Sequence, residues 1–184
     1  MLLQYETNRL VLKVLGPDYA ADVLRFYEND KELFERYEAD RCTNFYTEGY
    51  QRNILHLEYG LCLKLSLIRF YVFLKDDPYT IIGTVSLYDV SAPFSRADIG
   101  YKFASQYHHK GYASEAVEKL IDIAFSDLHL HRLCARVQEE NIPSIRLLTG
   151  LGFEIEGICR GSLRMRGQEI DHLQYSLIAP ASYL

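Results

Sequence analysis

The sequence has few cysteines, and they are far apart. Cys42, Cys62, Cys134 and Cys159 are the four in 184 residues, and no two form a Cys-x-x-Cys pair. Zinc sites and redox-active dithiols need close pairs, so the spacing argues against both. The N-terminus also lacks the basic start and apolar run of a signal peptide, which makes structural disulfides unexpected. We therefore expect reduced thiols, no metal site and a cytoplasmic protein.

Positive charge and long hydrophobic runs are also missing. The formal net charge is -5, whereas proteins that grip nucleic acid are usually basic, so we expect no nucleic-acid partner. The apolar window at 61–74 is interrupted by Lys64 and Arg69 and is too short to span a bilayer, so we expect no membrane partner. Tryptophan is absent, but 15 tyrosines and 9 phenylalanines supply aromatic surface for a core or a pocket.

Periodicity predicts one domain over residues 1–184, of mixed α/β or α+β class. Alternating segments predict strands at 9–15, 69–75, 81–90, 96–103, 131–138, 152–161 and 169–178, the last two around a turn at 165–168. Helical spacing predicts helices at 16–30, 31–38, 45–63, 111–128 and 141–152. Thr47 is the expected cap of the third helix, and Glu115 and Lys119 form an expected ion pair on the fourth. This order predicts a central, mostly antiparallel sheet with one βαβ crossover, flanked by helices.

The stretch HHKGYASEA, residues 108–116, places a polar cluster where the fourth helix begins. A helix start leaves backbone N–H groups unpaired and is electropositive. Gly111 has no side chain, so an anion can approach the N–H groups between His109 and Ser114 closely. Lys110 adds a positive charge, and His108 adds one when protonated, as His109 does.

The cluster alone leaves two interpretations open. It is either a phosphate cradle or an exposed polar turn, because one glycine before a helix is a weak signal. The sequence has neither the GxGxxG nor the GxxxxGK[ST] phosphate motif, and it has no GxSxG nucleophile motif. Neighbouring His108 and His109 diverge, so they are poor ligands for one shared metal ion.

Several segments in order resemble the core of a GNAT-superfamily N-acetyltransferase. They are IGY (99–101), KGYASEA (110–116), HRLCARVQEENIPS (131–144) and LGFEIEG (151–157), with TNRLVLKVL (7–15) near the N-terminus and Asp171 near the end. The resemblance is to the branch that contains the Rim-type enzymes, which acetylate ribosomal-protein N-termini. It implies direct transfer of acetyl from acetyl-CoA to a primary amine, by a monomer or a homodimer.

The resemblance also assigns residues to the cofactor. The backbone of His108, His109, Lys110, Gly111, Tyr112, Ala113 and Ser114 is expected to hold the pyrophosphate of CoA. Ile99, Gly100 and Tyr101 are expected to pair with the pantetheine arm as an added strand, and their N–H groups to polarise the thioester carbonyl. Asn141 is expected to hydrogen-bond the same arm.

The catalytic acid and the acceptor site are less fully marked. Many members of the family use a tyrosine five residues before the Phe of the GF motif, and that position is Leu148 here. Ser144 is the expected proton donor instead, with a helix-capping hydroxyl as the alternative. Acidic and aromatic side chains in 34–50 are expected to form one wall of the acceptor site; the residues proposed for it are Glu35, Tyr37, Glu38 and Tyr46. No general base is assigned, and Asp40, Glu48, Glu156 and Asp171 are further candidates.

The leading hypothesis is acetylation of a protein or peptide N-terminal amine. Two alternatives stay open: a small amine such as a polyamine or an aminoglycoside as acceptor, and a non-catalytic acyl-CoA sensor. The missing tyrosine and the His-His pair in the loop keep the sensor open.

Overall fold

An eight-stranded sheet forms the centre of the molecule. The computed structural model describes residues 1–183, and of Ser182 only the backbone. The strands are β1 Gln4–Glu6, β2 Leu10–Lys13, β3 Ile68–Leu74, β4 Gly83–Ser91, β5 Arg96–Phe103, β6 Arg132–Val137, β7 Glu154–Met165 and β8 Gln168–Ile178. Their spatial order is β1-β2-β3-β4-β5-β6-β8-β7, and every neighbouring pair is antiparallel except β5 and β6. The predicted fold class, a mixed and mostly antiparallel sheet flanked by helices, is confirmed.

Five α-helices cover the two faces of the sheet. They are α1 Ala20–Asn29, α2 Lys31–Glu35, α3 Glu48–Leu63, α4 Tyr112–Asp122 and α5 Ile142–Gly150. The predicted cap of α3 is confirmed, because Thr47 Oγ1 accepts a hydrogen bond from the N–H of Tyr50 at 3.3 Å. The helix therefore begins at Glu48 rather than at residue 45. Within residues 1–183, no helix combines the length and the apolar character needed to cross a bilayer.

Both faces of the sheet are buried because successive strand residues point to opposite sides. In β3, Phe70 and Val72 enter a core beneath α4, whereas Tyr71 and Phe73 enter a second core beneath α1 and α3. All four side chains are at most 1% exposed. Burial of each stabilises the fold by about 1.5–3 kcal/mol, which holds the sheet between the two helical layers.

Two details of the sheet differ from the sequence prediction. The strand β1 was not predicted, because three residues at a sheet edge are too short for a periodic signal. The strand β7 runs to Met165 rather than ending at 161, with an irregularity in its pairing between Cys159 and Leu163. The predicted turn follows it, and Arg166 and Gly167 both have positive φ there, at 52° and 75°.

The predicted ion pair between Glu115 and Lys119 is wrong. The Glu115 carboxylate accepts hydrogen bonds from Thr7 Oγ1 at 2.6 Å, from the Arg9 N–H at 2.7 Å and from Arg9 Nε at 2.6 Å. Lys119 pairs with Asp122 at 2.6 Å instead. Glu115 turns away from the exposed helix face because the chain leading into β2 offers three donors. The first turn of α4 is thereby tied to the N-terminal segment.

The strands β5 and β6 are neighbours for only part of their length. They pair in parallel over Arg96–Asp98 and Arg132–Cys134, joined by the crossover through α4. Beyond Asp98, β5 keeps its pairing with β4 but has no paired residue on β6 in the described chain. The sheet therefore opens in the middle, and the start of α4 and the start of α5 lie beside the opening.

Candidate active site

The opening between β5 and β6 is a cleft of about 780 Å³. The residues predicted to bind a cofactor that line it are Ile99, Gly100, Tyr101, His108, His109, Gly111, Tyr112, Ala113, Ser114 and Asn141, together with Ser144. Lys110 does not line the cleft; its ammonium lies 5.5 Å from the centre of the Tyr107 ring. Three segments far apart in sequence thus meet around one cavity.

The loop before α4 presents a row of backbone donors. His109 and Gly111 have left-handed φ values of 58° and 78°, and Gly111 is the N-cap of the helix. The N–H of His108 donates to Ser105, and that of Glu115 to Gly111. Between them, the N–H groups of residues 109–114 donate to no acceptor within residues 1–183. Unpaired N–H groups at a helix start make an anion-binding arrangement.

Arg9 braces this loop from the turn between β1 and β2. Its Nη1 donates to the carbonyl of Lys110 at 3.0 Å, and its guanidinium lies 4.6 Å from the centre of the Tyr112 ring. Burial alone would raise the pKa of Glu115, but the hydrogen bonds from Thr7 and Arg9 outweigh it and lower that pKa. The carboxylate therefore stays charged and holds Arg9 in place. Sequence reasoning missed this role, although Arg9 stands in the TNRLVLKVL segment.

His108 fixes the other end of the loop. Its Nε2 lies 2.8 Å from the carbonyl oxygen of Phe103, the last residue of β5. The ring is therefore turned toward β5 and ties the loop to it. His108, which was predicted to add positive charge to the loop when protonated, therefore also makes a structural contact with β5.

Asn141 and Ser144 stand at the start of α5. Asn141 is the N-cap, and its Oδ1 accepts a hydrogen bond from the N–H of Ser144 at 3.3 Å. The Ser144 hydroxyl lies 2.6 Å from the hydroxyl of Tyr101, which also donates to the Ser144 carbonyl oxygen at 3.3 Å. Burial raises the pKa of Tyr101 to about 12, even though the contact with Ser144 lowers it. The two hydroxyls form a protonated pair on the wall of the cleft.

Leu148, where many family members carry a tyrosine, is a packing residue. Its side chain is 1% exposed and belongs to the core beneath α4. The hydroxyl of Tyr101 instead enters the cleft wall from β5. Sequence reasoning assigned Tyr101 to backbone pairing and did not foresee its side-chain contact, because the contact joins residues 43 positions apart.

A second pocket of about 710 Å³ adjoins the first. Its lining residues are Tyr37, Glu38, Ala39, Asp40, Arg41, Cys42, Phe45, Tyr50, Tyr88, Arg136, Ser162, Leu163 and His172. Five of them also line the cleft: Tyr37, Glu38, Tyr88, Arg136 and His172. The two cavities therefore adjoin each other at these five residues.

The acidic residues of the second pocket are already paired. Glu38 forms ion pairs with Arg41 and Lys102. The Asp40 carboxylate accepts from the N–H of Arg166 at 3.1 Å and 2.9 Å, which ties the 37–42 segment to the turn between β7 and β8. The wall therefore combines an ion-paired Glu38 with an Asp40 carboxylate that accepts from a backbone N–H.

Of the four residues predicted to bind the acceptor, two line the cavities and two do not. Tyr37 and Glu38 line both cavities. Glu35 and Tyr46 line neither; the Tyr46 hydroxyl donates to the Glu35 carboxylate at 2.7 Å, and this contact together with burial raises the pKa of Tyr46. Their separation follows from α2, which ends at Glu35 and turns that side chain toward Tyr46.

The other carboxylates considered are engaged elsewhere. Glu156 pairs with Arg132 and accepts from Ser176 Oγ at 2.8 Å. Asp171 accepts from the N–H of Gly161 at 2.7 Å, within the β7–β8 hairpin. Glu48 pairs with Arg52 on the surface of α3. None of the three carboxylates lines either cavity. Within the described residues, no group of three or more metal-ligating side chains comes together.

His172, which sequence reasoning did not single out, lies at the junction of the cavities. It is 8% exposed, and its Nδ1 lies 2.8 Å from Ser162 Oγ. Burial lowers its pKa. The alternation in β8 places His172, Gln174 and Ser176 on one side of the strand, and that polar row was the available signal. Alternation alone cannot tell which polar residue of such a row faces a cavity.

Comparison with known proteins matches most of the chain to one family. The family described as acetyltransferase (GNAT) domain matches residues 9–154. The uncharacterized N-acetyltransferase p20 of Bacillus licheniformis is 36% identical over 172 residues, which are 94% of each chain. The match therefore extends over nearly the whole length of this relative.

Two solved structures share the fold. The ribosomal-protein-S5-alanine acetyltransferase of Vibrio fischeri superposes with a TM-score of 0.90 at 26% identity, over 98% of both chains. Mycobacterium smegmatis RimJ, solved in complex with CoA-disulfide, superposes with a TM-score of 0.86 at 25% identity, over 92% of this chain and 82% of RimJ.

Proposed function

Because the chain belongs to the GNAT acetyltransferase family, we propose that it transfers acetyl from acetyl-CoA to the N-terminal amine of a protein or peptide. The observation that carries the proposal is the junction of two cavities, one edged by the unpaired N–H groups of residues 109–114 and the other open to solvent. The choice of a protein amine is supported by the likeness to a ribosomal-protein-S5-alanine acetyltransferase.

The cleft fits CoA by the chemistry of its edges. The N–H groups of residues 109–114 hold the pyrophosphate. The unpaired edge of β5 at Ile99, Gly100 and Tyr101 accepts the pantetheine arm as an added strand, and Asn141 faces the same arm. Bound acetyl-CoA supplies the activated acyl group, and backbone N–H groups of β5 stabilise the negative charge that develops on its carbonyl oxygen.

The pair of hydroxyls on the cleft wall supplies the acid. Ser144 donates a proton toward the leaving sulfur and is resupplied by Tyr101, whose hydroxyl lies 2.6 Å away. Tyr101 holds its proton through the neutral range because its pKa is raised to about 12. This arrangement takes the place of the tyrosine that many members carry at the position of Leu148.

The acceptor enters through the second pocket. Tyr37 and Glu38 form its wall where it meets the cleft, and Tyr88 forms the opposite side on β4. Aromatic rings desolvate a cationic amine, and Glu38 attracts it within a compensated network. We assign this chemistry to one domain spanning the chain and place the protein in the cytoplasm.

Calorimetric titration with acetyl-CoA, followed by thiol release over several acceptors, tests the proposal. The acceptors are hexapeptides that begin with alanine or serine, the same peptides with an acetylated N-terminus, spermidine and kanamycin. Binding with thiol release on the free peptides alone is the expected result. Release only on spermidine or kanamycin would make the acceptor a small amine. Tight binding without release on any acceptor would indicate a sensor, and absence of binding would refute the cradle.

A further inference from the structure

His172 lies on β8 where the acceptor pocket opens into the cofactor cleft, and its buried ring lines both cavities. We propose that His172 is the general base, which takes a proton from the ammonium form of the acceptor. The inference rests on the proposed transfer of acetyl to an amine, and it holds whether the amine belongs to a protein or to a small molecule. An α-amino group has a pKa near 8, so at neutral pH most of it must lose a proton before attack.

The carboxylates near this junction are occupied. Glu38 is held by Lys102 and Arg41, and Asp40 accepts from the backbone of Arg166. Their oxygens already hold these donors, so neither carboxylate is placed to receive the proton of the acceptor amine.

The charges nearer to His172 are paired as well. Asp98 accepts from Arg136 Nη2 at 2.9 Å, and Asp171 accepts from the N–H of Gly161. Of the described residues that line the acceptor pocket, His172 is the only imidazole. His108, at the far end of the cleft, has its ring nitrogen on the Phe103 carbonyl.

The surroundings of the ring suit a base. When Nδ1–H donates to Ser162 Oγ, 2.8 Å away, the lone pair is left on Nε2. Burial lowers the pKa of His172 and Arg136 acts in the same direction, while the Ile170 carbonyl and Asp171 oppose them. The imidazole is thus neutral at pH 7 and able to accept.

The other ionisable groups that face this junction come from four elements. They are Tyr88 on β4, Arg136 on β6, Tyr50 on α3, and Tyr37, Glu38, Asp40, Arg41 and Cys42 on the segment after α2. Burial raises the pKa of Tyr88, so it stays protonated and does not compete as a base.

The proton balance closes without a further reagent. The ammonium gives one proton to Nε2, and the free amine forms the C–N bond at the thioester carbonyl carbon. The C–S bond then breaks, and the sulfur takes a proton from the Ser144–Tyr101 pair. The second proton of the new amide nitrogen restores that pair through water, and His172 returns its proton to solvent. The sum is amide, CoA thiol and one released proton.

The test compares wild type with His172→Gln between pH 7 and pH 9.5. The acceptor is an alanine hexapeptide or, where the wild type does not acetylate it, alaninamide, because both carry an α-amino group with a pKa near 8. We expect kcat to fall roughly 100-fold at pH 7 and by about tenfold or less at pH 9.5, where most of the amine is already free. The KM for acetyl-CoA and the thermal unfolding midpoint stay unchanged. His56→Gln, on the exposed surface of α3, is the matched control.

Two kinetic results would overturn the assignment of His172 as the general base. A loss of kcat equal at both pH values would mean a structural role, and an undiminished kcat would mean no role. NMR spectra of protein labelled with ¹⁵N-histidine test the proposal without any acceptor. The proposal requires that His172 has the Nδ1–H tautomer and a titration midpoint below 6.5. An Nε2–H tautomer of His172 in wild type, with the same tautomer in Ser162→Ala, would show that Ser162 does not hold Nδ1–H. That result would also refute the proposal. Failure of wild type on every acceptor would count against the proposed function, and the tautomer would still decide for His172.

Discussion

The two cavities are built in different ways. The cofactor cleft is edged by backbone groups: the N–H row of residues 109–114 and the unpaired edge of β5. The acceptor pocket is lined by side chains from segments spread between residues 37 and 172. Glu38 pairs with Arg41 in the pocket and with Lys102 of the cleft, and Asp40 accepts from the backbone N–H of Arg166. The shape of the cofactor cleft therefore depends on backbone conformation. The shape of the acceptor pocket depends on the side chains that line it.

This difference has a chemical reason. Every acceptor of this enzyme meets the same CoA, so the cleft can use main-chain donors that do not vary with the side chains. The acceptor must be chosen, and choice requires side chains of particular shape and charge. Changes in backbone geometry should therefore affect cofactor affinity most, and changes on the acceptor side should affect turnover or KM for the amine.

Gly111→Asp should give the largest effect. The position has φ of 78°, a Cβ would lie 3.3 Å from Arg9 Nη2, and the new carboxylate would enter the N–H row. We expect acetyl-CoA affinity to fall by at least roughly 100-fold, or about 2.8 kcal/mol. Calorimetry measures it, with Gly49→Asp on α3 as the control, where a Cβ meets nothing within 4 Å. Retained acetyl-CoA affinity would show that these N–H groups do not bind the cofactor. The contrast between the two cavities would then not hold.

Ser144→Ala separates binding from chemistry within the cleft. We expect turnover to fall roughly tenfold to 100-fold, because a positioned proton donor is lost, while acetyl-CoA affinity changes little. Tyr101→Phe should reproduce part of the loss, since Ser144 would then have to be resupplied from water. Steady-state kinetics and calorimetry on the same samples measure both quantities. Unchanged turnover in Ser144→Ala would exclude the serine from the reaction.

Most of the fold could be predicted because its signals are local. Apolar runs and alternation in β3 to β8 and helical spacing in α4 arise from burial, which any window of about ten residues records. The short strand β1 and the extension of β7 to Met165 were missed. Each depends on pairing with a distant strand rather than on its own pattern.

The candidate site could be predicted where it is contiguous. HHKGYASEA contains the whole N–H row, so the proposed cradle falls within a single segment. The Tyr101–Ser144 contact and the Arg9–Glu115 pair join residues 43 and 106 positions apart. His172 becomes notable only when β8 is placed beside β6. Such contacts are set by the three-dimensional packing, and one sequence without its fold does not reveal them.

Arg9→Gln tests how far the loop depends on its brace. It removes the donor to the Lys110 carbonyl and leaves the Glu115 carboxylate, 17% exposed, without its cation. We expect about 1–2 kcal/mol lower stability, because a mostly buried charge loses its partner, and acetyl-CoA affinity lowered about tenfold. Arg25→Gln is the control, since its pair with Asp22 is exposed and contributes about 0–1 kcal/mol. Unchanged affinity would mean that the loop holds its shape without Arg9.

Alkaline unfolding gives the smallest effect and tests whether the acid pair is shielded from water. Folding raises the pKa of Tyr101 from 10.0 to about 12. Below pH 10 both states are protonated, so this group contributes no pH dependence; above it, the unfolded chain ionises first and unfolding becomes easier. Wild type should therefore lose stability relative to Tyr101→Phe by up to about 1.4 kcal/mol per pH unit between pH 10 and 12. Denaturant titrations at pH 9, 10 and 11 measure the difference, with Tyr79→Phe, whose ring is 85% exposed, as the control for loss of a hydroxyl. Parallel curves for wild type and Tyr101→Phe would mean that water reaches the pair, and the cleft wall would then resemble the solvated acceptor side.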